Sequence, residues 1–260
     1  RVGNFDVEAF PVCHSIPDAV GYVLRCPEGI FVHTGDFKID PYPLDGVPTG
    51  VERLRAISAA EGVTALFSDS TNVEREGVSP PEKFVGEALA EIFGQAPGRV
   101  VVAMFSSNLH RIQEAIKAAK RCGRRVALCG KSMVRNVATA IDLGYLALPS
   151  PDILIPVEEA ASLPDRAVAV LTTGSQGEPR SALTLMALGE HKHLKVRPGD
   201  TIVLSSKFIP GNERAIAGVI NRFFLAGAEV LFEKISEVLV SGHACVEELR
   251  TLIAAVRPAN

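Results

Sequence analysis

Two residues near the start of the chain, His14 and Asp36, are of types that bind metal ions. His14 lies in a turn, and two short apolar runs follow it, at residues 20–26 and 30–33. Asp36 comes shortly after the second run, in the sequence Thr-Gly-Asp. Side chains at the ends of adjacent strands can converge, and an imidazole with a carboxylate suits zinc or another divalent ion. Polar residues are also common in turns, so spacing alone leaves open that the two residues share no function.

Sequence blocks along the chain resemble, in order, those of one nuclease family. His-Ser-Ile-Pro-Asp at 14–18 and Thr-Gly-Asp-Phe-Lys at 34–38 resemble the third and fourth metal motifs of the metallo-β-lactamase fold, in the form found in bacterial ribonuclease J. Ser-Asp-Ser-Thr-Asn at 68–72 and Ser-Gly-His-Ala at 241–244 resemble the first and second motifs of the β-CASP nuclease group. Further blocks similar to those of the family lie at 105–111, 171–179 and 209–213. The order of the blocks carries more weight than any one of them.

This resemblance implies roles for individual residues. His14 would be a ligand of one metal ion, and Asp36 would bridge two ions, because one carboxylate can offer an oxygen to each. Asp69 would orient active-site histidines or assist proton transfer, although a turn with Asn72 would use the same residue types. His243 would contact the phosphate near the scissile bond and stabilise charge in the transition state; the alternative is a helix-start histidine bonded to the backbone.

A strand end followed by a helix start, at residues 105–110, could bind phosphate. Free backbone N–H groups at a helix N-terminus suit an anion, but an ordinary N-cap has the same local sequence. The resemblance favours substrate binding at this segment and at the segment around His243. The residues implied are Ser106, Ser107, Asn108, Ser241, Gly242 and His243.

Two motifs of the family are not found in the sequence. His-x-His-x-Asp-His, which supplies most of the metal ligands, normally lies upstream of His14. His-Gly-Glu normally lies shortly after the position of residue 260. The segment His191-Lys192-His193 has no Asp-His after it, and we predict it to be solvent-exposed because two imidazoles alone make a poor site. We therefore expect an interior fragment of a longer enzyme, inactive by itself and weak in metal binding because two ligands do not close a site.

The composition is typical of a globular protein, with 47% hydrophobic and 22% charged residues. No apolar run approaches the roughly 18 residues of a membrane span, and no signal peptide is visible. The five cysteines are scattered without a Cys-x-x-Cys pair, as expected for reduced thiols. We expect a cytoplasmic protein that does not bind membranes.

The net charge of −3 is unusual for a protein that binds RNA, because such binding relies on Lys and Arg near the phosphates. A nuclease that holds phosphate through metal ions and backbone amides needs fewer cations. We predict that most of the local basic residues lie on solvent-exposed helix faces. These residues are Lys117, Lys120, Arg121, Arg124, Arg125, Lys131 and Arg135.

The hydrophobic pattern predicts an α/β protein. Ser79 and Glu82 resemble a capping box with Pro at the first helical position, and from there strands and helices alternate, which predicts a mostly parallel sheet covered by helices. Strands are predicted at 2–10, 20–26, 30–33, 64–68, 100–105, 125–129, 167–173, 201–205, 230–232 and 238–240. Helices are predicted at 51–60, from 79, and at 108–121, 132–143, 213–225 and 246–256.

The resemblance gives this pattern a domain organisation. It implies a partial metallo-β-lactamase domain of the αββα type, formed by residues 1–81 and 238–260. A β-CASP α/β domain with a mostly parallel sheet would be inserted at residues 82–237.

By resemblance, the full-length enzyme would hydrolyse RNA phosphodiester bonds as a 5′-to-3′ exoribonuclease with additional endonuclease activity, in mRNA decay and rRNA maturation. Its cofactor would be two divalent metal ions, zinc or alternatively Mn²⁺ or Mg²⁺. Single-stranded RNA would be its substrate, and it would form a homo-dimer or homo-tetramer. Two alternatives stay open: a non-catalytic RNA-binding or scaffold protein, and a DNA-directed β-CASP nuclease, because recognition of the 2′-hydroxyl leaves no readable sequence signature.

Overall fold

The computed structural model describes residues 1–233 and 238–260, and the chain forms two compact units. The first unit combines Arg1–Lys83 with Val240–Asn260, and the second is Phe84–Leu239. The second unit is therefore inserted into the first along the sequence. The boundary predicted at residue 237 lies outside the described residues, and the assignment of the two units to the implied domains stays a prediction.

The elements of secondary structure follow one another as short strands and helices. The strands are β1 (Asp6–Pro11), β2 (Val20–Cys26), β3 (Gly29–His33), β4 (Ala65–Phe67), β5 (Val100–Ala103), β6 (Arg125–Cys129), β7 (Leu154–Ile155), β8 (Val168–Thr172), β9 (Thr201–Leu204) and β10 (Glu229–Leu231). The helices are α1 (Val51–Glu61), α2 (Lys83–Gln95), α3 (Leu109–Arg121), α4 (Lys131–Asp142), α5 (Val157–Ala160), α6 (Ala182–Leu188), α7 (Glu213–Leu225) and α8 (Val246–Val256). None of the described helices is long and apolar enough to cross a membrane.

The first unit is a four-stranded sheet with two helices packed on one face. Strands β1, β2 and β3 pair antiparallel, and β4 pairs parallel to β3. Leu54 of α1 and Leu252 of α8 are buried in the same core cluster as Phe10, Val23 and Val32 of the sheet. In β2 exposed and buried residues alternate, as expected of a strand with only one face on the core.

The second unit contains a six-stranded parallel sheet in the order β10-β9-β5-β8-β6-β7. Every residue of β5, β8 and β9 is buried, because strands of a parallel sheet are covered on both faces. Helices α5, α6 and α7 contribute to one core cluster with these strands. This architecture confirms the predicted α/β class and the mostly parallel sheet with covering helices.

The prediction of solvent-exposed cations is wrong for Arg124, which is 1% exposed. Its guanidinium donates to the carbonyl oxygens of Phe93 (2.9 Å), Ala96 (2.8 Å) and Gly98 (2.8 Å). Burial lowers the pKa of Arg124, and the hydrogen bonds compensate part of the desolvation cost. Through these hydrogen bonds, Arg124 links the end of α2 and the turn after it to the start of β6.

Two predicted elements differ from the structure. Helix α2 begins at Lys83, and Ser79 does not cap it, because the Ser79 N–H donates to Glu248 Oε2 (2.6 Å) and its hydroxyl donates to the His243 carbonyl oxygen (2.7 Å). The predicted strand at 238–240 is irregular, and the Val238 carbonyl accepts from the Ser205 hydroxyl (2.5 Å). The sequence pattern does not indicate β7, α5 and α6, since elements of two to seven residues give little periodicity.

Candidate metal centre

Three side chains from distant parts of the first unit meet at one place. His14, Asp36 and His243 each offer a ligand atom, and these atoms all lie within 4.8 Å of one another. The Nε2 atom of His14 lies 3.8 Å from Asp36 Oδ2, and the ring centroids of His14 and His243 are 5.1 Å apart. The sequence predicted His14 and Asp36 as metal ligands; the structure adds the His243 ring to the same cluster.

Backbone hydrogen bonds between loops explain why these residues converge. The Lys38 N–H donates to the Cys13 carbonyl oxygen (2.8 Å), which joins the turn after β1 to the turn after β3. The Ala244 N–H donates to the Phe37 carbonyl oxygen (2.7 Å), which joins the loop before α8 to the same turn. The neighbours of His14, Asp36 and His243 in sequence therefore hold the three loops together.

His14 is oriented through its Nδ1 atom, which lies 2.9 Å from the Gly242 carbonyl oxygen. Since a carbonyl can only accept, the proton lies on Nδ1 and the lone pair of Nε2 is free for a metal ion. Burial lowers the pKa of His14 and outweighs the hydrogen bond to Gly242, which raises it, and this favours the neutral ring that binds metal. A Cβ atom at Gly242 would lie 2.9 Å from the His14 ring, so a larger residue there would displace the ring.

His243 is oriented by Asp69, whose Oδ2 atom lies 2.7 Å from Nδ1 of the ring. This carboxylate places the proton on Nδ1, so Nε2 is the unprotonated nitrogen of the ring. Burial alone would raise the pKa of Asp69, but hydrogen bonds from His243 and Thr71 outweigh it and hold the pKa below its usual range. The Asp69 side chain is only 5% exposed, so its ionised carboxylate is held in place beside Nδ1 of His243.

Asn72 and Ser241 support the loop that carries His243. The Asn72 side-chain amide donates to Ser241 Oγ (2.8 Å) and to the His243 carbonyl oxygen (3.0 Å). The His243 N–H donates to Ser241 Oγ (3.2 Å). The Ser241 hydroxyl oxygen therefore has a local role in the loop, and its predicted substrate contact stays a prediction, as does that of Gly242.

Glu248, which no sequence motif singled out, links the loops at this centre. Its carboxylate accepts from the backbone N–H groups of Ile39 (2.7 Å), Ser79 (2.6 Å) and Cys245 (2.9 Å), and the residue is 3% exposed. The spacing from Cys245 fits a capping box, so sequence could have indicated one of the three contacts. The other two join segments more than 160 positions away, and local sequence carries no signal for them.

The predicted phosphate-binding segment lies in the second unit, at the start of α3. Asn108 is the N-cap: its side chain accepts from the Arg111 N–H (3.1 Å), and it is 4% exposed. The Asn136 amide donates to the carbonyl oxygen (3.0 Å) and hydroxyl oxygen (3.1 Å) of Ser106. Ser107 is exposed, and Ser106, which accepts from Asn136 of α4, is half-buried. The N-cap interpretation therefore holds for Asn108, and substrate binding by Ser106, Ser107 and Asn108 stays a prediction.

The donor set of the first unit fits a divalent ion. Two imidazole nitrogens with one carboxylate oxygen are the protein ligands of many catalytic zinc sites, in which a fourth position stays open for water or substrate. The Asp36 side chain is 64% exposed, so the cluster can be reached from solvent. Within residues 1–233 and 238–260, this set provides ligands for one ion.

Comparisons with known proteins agree with the sequence blocks. A family profile described as ribonuclease J, beta-CASP domain, matches residues 97–223. The chain is 46% identical over 259 residues to a ribonuclease J of Thermus thermophilus, covering 99% of this chain and 45% of the relative. It is 45% identical over 258 residues to a ribonuclease J of Mycolicibacterium smegmatis, covering 99% and 46%. The chain thus spans less than half the length of these relatives.

A solved structure shows the same fold at low sequence identity. It is a crystal structure of a protein of unknown function from Enterococcus faecalis V583, with a TM-score of 0.64 and 15% identity. The alignment covers 99% of this chain and 57% of the other. At this identity the similarity concerns the fold alone.

Proposed function

Because the chain is similar to two ribonuclease J proteins over 99% of its length and a ribonuclease J profile matches residues 97–223, we propose that it belongs to this family and carries part of the active site of a metal-dependent ribonuclease. The observation that supports this most is the convergence of His14, Asp36 and His243 with their ligand atoms within 4.8 Å. Asp69 behind His243 adds a carboxylate–histidine pair of the kind that orients metal-site histidines.

The two compact units would correspond to the two domains of the family. The first unit would be the metallo-β-lactamase domain, with predicted boundaries of 1–81 and 238–260, and the second the β-CASP domain at 82–237. The profile match at 97–223 falls within the second unit, which supports this assignment.

His14 and Asp36 would hold divalent metal, with the Nε2 lone pair of His14 and the carboxylate of Asp36 as donors. Two ions are proposed by the resemblance, zinc or alternatively Mn²⁺ or Mg²⁺, and Asp36 would be a ligand of this metal. Bound metal would supply an activated water molecule and neutralise charge on the phosphate. The hydrogen bond from His14 Nδ1 to the Gly242 carbonyl orients the ring and leaves Nε2 unprotonated, and burial lowers the pKa of His14.

His243 would offer a ring nitrogen to the metal, as its position beside His14 and Asp36 favours; the alternative that the resemblance implies is contact with the scissile phosphate. Asp69 keeps the ring in place and stabilises a positive charge on it if the ring takes up a proton. The backbone and hydroxyl groups around Ser106, Ser107, Asn108, Ser241 and Gly242 would bind phosphate groups of the substrate. In this scheme the residues hold the substrate in line and stabilise the charge that develops during cleavage.

The substrate would be single-stranded RNA, degraded from the 5′ end with additional endonuclease activity. By the family resemblance the whole protein would act in mRNA decay and rRNA maturation in the cytoplasm, as a homo-dimer or homo-tetramer. These details rest on the resemblance and on the relatives' name.

The test uses the protein produced from the complete gene, incubated with 5′-monophosphorylated single-stranded RNA or matching DNA and Mn²⁺ or Zn²⁺. We expect loss of RNA from the 5′ end, no cleavage by the Asp36→Ala or His243→Ala variants, and full activity of an Arg55→Ala control, which alters an exposed ion pair. Intact RNA with retained binding would favour the scaffold alternative. Cleavage of DNA alone would place the protein among DNA-processing nucleases.

A further inference from the structure

The second unit contains a cavity of about 1190 Å³ at the carboxyl ends of β6 and β8. It is lined by the segment after β6, by Thr173 after β8, and by residues at the starts of α4, α5 and α6. Strands β6 and β8 are neighbours, but the chain continues from β6 to β7 and from β8 to β9, in opposite directions along the sheet. In open parallel sheets, ligands bind in the crevice where the direction reverses in this way.

The charges around the cavity are mainly positive. Four exposed basic side chains line it, and within the described residues none of them forms an ion pair or a side-chain hydrogen bond. These residues are Lys131, Arg135, Arg180 and Lys192. The acidic residue in the lining is Glu158, whose carboxylate lies 3.2 Å from His193 Nε2. The cavity therefore has an excess of positive charge that is not neutralised by the described part of the protein.

Backbone donors add to this charge at the start of α4. The N-cap residue is Gly130, at φ 104°, and no side chain caps the helix. A Cβ atom at Gly130 would lie 2.5 Å from Thr173 Oγ1, so the loop approaches the neighbouring strand closely and only glycine fits. The first N–H groups of a helix lack intrahelical acceptors, and here they line the same cavity as the four cations.

One wall of the cavity is neutral. His191 Nδ1 accepts from the backbone N–H groups of His193 (3.3 Å) and Leu194 (3.1 Å). Its proton therefore lies on Nε2, which is 3.2 Å from Cys129 Sγ. Burial lowers the pKa of His191 and raises the pKa of Cys129 to about 11. A neutral ring beside a protonated thiol is a poor metal site, because thiolate is the metal-binding form.

The position of the two histidines in this wall differs from the prediction made from the sequence. The segment from His191 to His193 is predicted to be solvent-exposed, but both histidines are half-buried and line the cavity. Val134, Val157 and Leu185 continue the wall with apolar side chains. The cavity thus combines a cationic side with an apolar and aromatic one, and its volume is adequate for a ligand larger than a single anion.

We propose that this cavity binds a nucleotide, with the phosphate at the start of α4 among the cations and the base against the neutral wall. The nucleotide is either free or a unit of an RNA strand, since both present the same phosphate and base. The site involves residues of the second unit only and needs no metal ion. It is therefore independent of the metal centre proposed for the first unit.

The test is calorimetric titration of the 260-residue chain in EDTA with uridine 5′-monophosphate, uridine and 5′-phosphorylated hexauridylate. We expect uridine 5′-monophosphate to bind, and uridine to bind at least about 10-fold more weakly, because it lacks the phosphate. The double variant Lys131→Met, Arg135→Met should weaken binding by at least about the same factor. The control Arg121→Met alters an exposed cation at the end of α3 and should leave binding unchanged.

The titrations also identify the source of the nucleotide. Tighter binding of hexauridylate, in competition with uridine 5′-monophosphate, indicates an RNA strand, whereas binding of the mononucleotide alone indicates a free nucleotide. The proposal is overturned if neither binds, or if the double variant and the control bind like the unmodified chain. Circular dichroism of each variant confirms folding. Since EDTA removes metal, neither outcome bears on the ribonuclease proposal, which the cleavage assay tests.

Discussion

The two units position their candidate functional groups in different ways. In the first unit, His14, Asp36 and His243 come from loops far apart in sequence and depend on side chains that bond to distant backbone groups, as Glu248 does. In the second unit, the candidate residues follow strand ends of one parallel sheet, so the sheet itself brings them together. A site built from long-range polar contacts should therefore be more sensitive to single polar substitutions than a site built on strand ends.

The largest effect is expected for Glu248→Gln. The amide would place a donor where the carboxylate now accepts from three backbone N–H groups. Loss of a buried, charged acceptor costs about 3 kcal/mol or more, measured by urea unfolding with amide exchange at Ile39 and Cys245 as a local readout. The control is Glu247→Gln on the same helix, an exposed residue paired with Arg250, for which we expect less than about 0.5 kcal/mol. Equal effects of the two substitutions would remove the special role of Glu248.

A second substitution asks whether the second unit also depends on a buried polar residue. Arg124→Met would leave the carbonyl oxygens of Phe93, Ala96 and Gly98 without their donor. We expect a loss of about 2–3 kcal/mol in urea unfolding. Arg121→Met, at the exposed end of α3, should stay within about 0.5 kcal/mol. A large loss of stability would show that the core of the second unit also depends on a buried polar residue, so the two units would differ only in their functional groups. No loss of stability would show that the whole second unit tolerates single polar substitutions.

A third substitution tests whether His243 depends on its carboxylate partner. Asp69→Asn removes the charge behind Nδ1 of the ring, and such partners of metal-site histidines are worth about 10- to 100-fold in metal affinity. We therefore expect zinc affinity to fall by that factor, measured by competition with a chromophoric chelator. Asp6→Asn, an exposed position in β1, is the matched control. Unchanged zinc affinity of Asp69→Asn would indicate that His243 does not bind the metal and would favour its role at the phosphate.

The smallest effect is expected for Asn108→Ala in the second unit. The substitution removes the side chain that caps α3, which typically costs about 1 kcal/mol. Urea unfolding of this variant is compared with that of Ser107→Ala, a neighbour that does not cap the helix. A loss of more than about 3 kcal/mol, as for a buried charged group, would show that the strand-end segment of the second unit is as sensitive as the loops of the first.

Much of the fold follows from local sequence. The bounds of β2, β6, α7 and α8 agree with the prediction, because a short apolar run marks each of these strands and a helical period marks each of these helices. The helix cap expected at Ser79 is wrong because tertiary hydrogen bonds to Glu248 and His243 use its polar groups instead. Local sequence shows which groups are able to cap a helix, but not which distant partners compete for them.

The candidate site was predictable in part. His14 and Asp36 were identified through the resemblance, and the structure places them together. Two findings had no local signal: the approach of the His243 ring to within ligand distance of both, and the use of Glu248 across three segments. Likewise, the sequence predicts exposed polar residues at His191 and His193, since nothing in their neighbourhood indicates the packing of Cys129 against His191. These features arise from chain topology and not from residue spacing.

The central claim is that His14, Asp36 and His243 form one metal-binding centre, and calorimetric titration of the chain with Zn²⁺ tests it most directly. The account predicts saturable zinc binding, weakened at least about 10-fold by His14→Gln, by Asp36→Asn and by His243→Gln, because each variant removes one ligand. The control His193→Gln, in the second unit, should bind like the unmodified chain. Equal zinc binding by the unmodified chain and by all three variants would contradict the account.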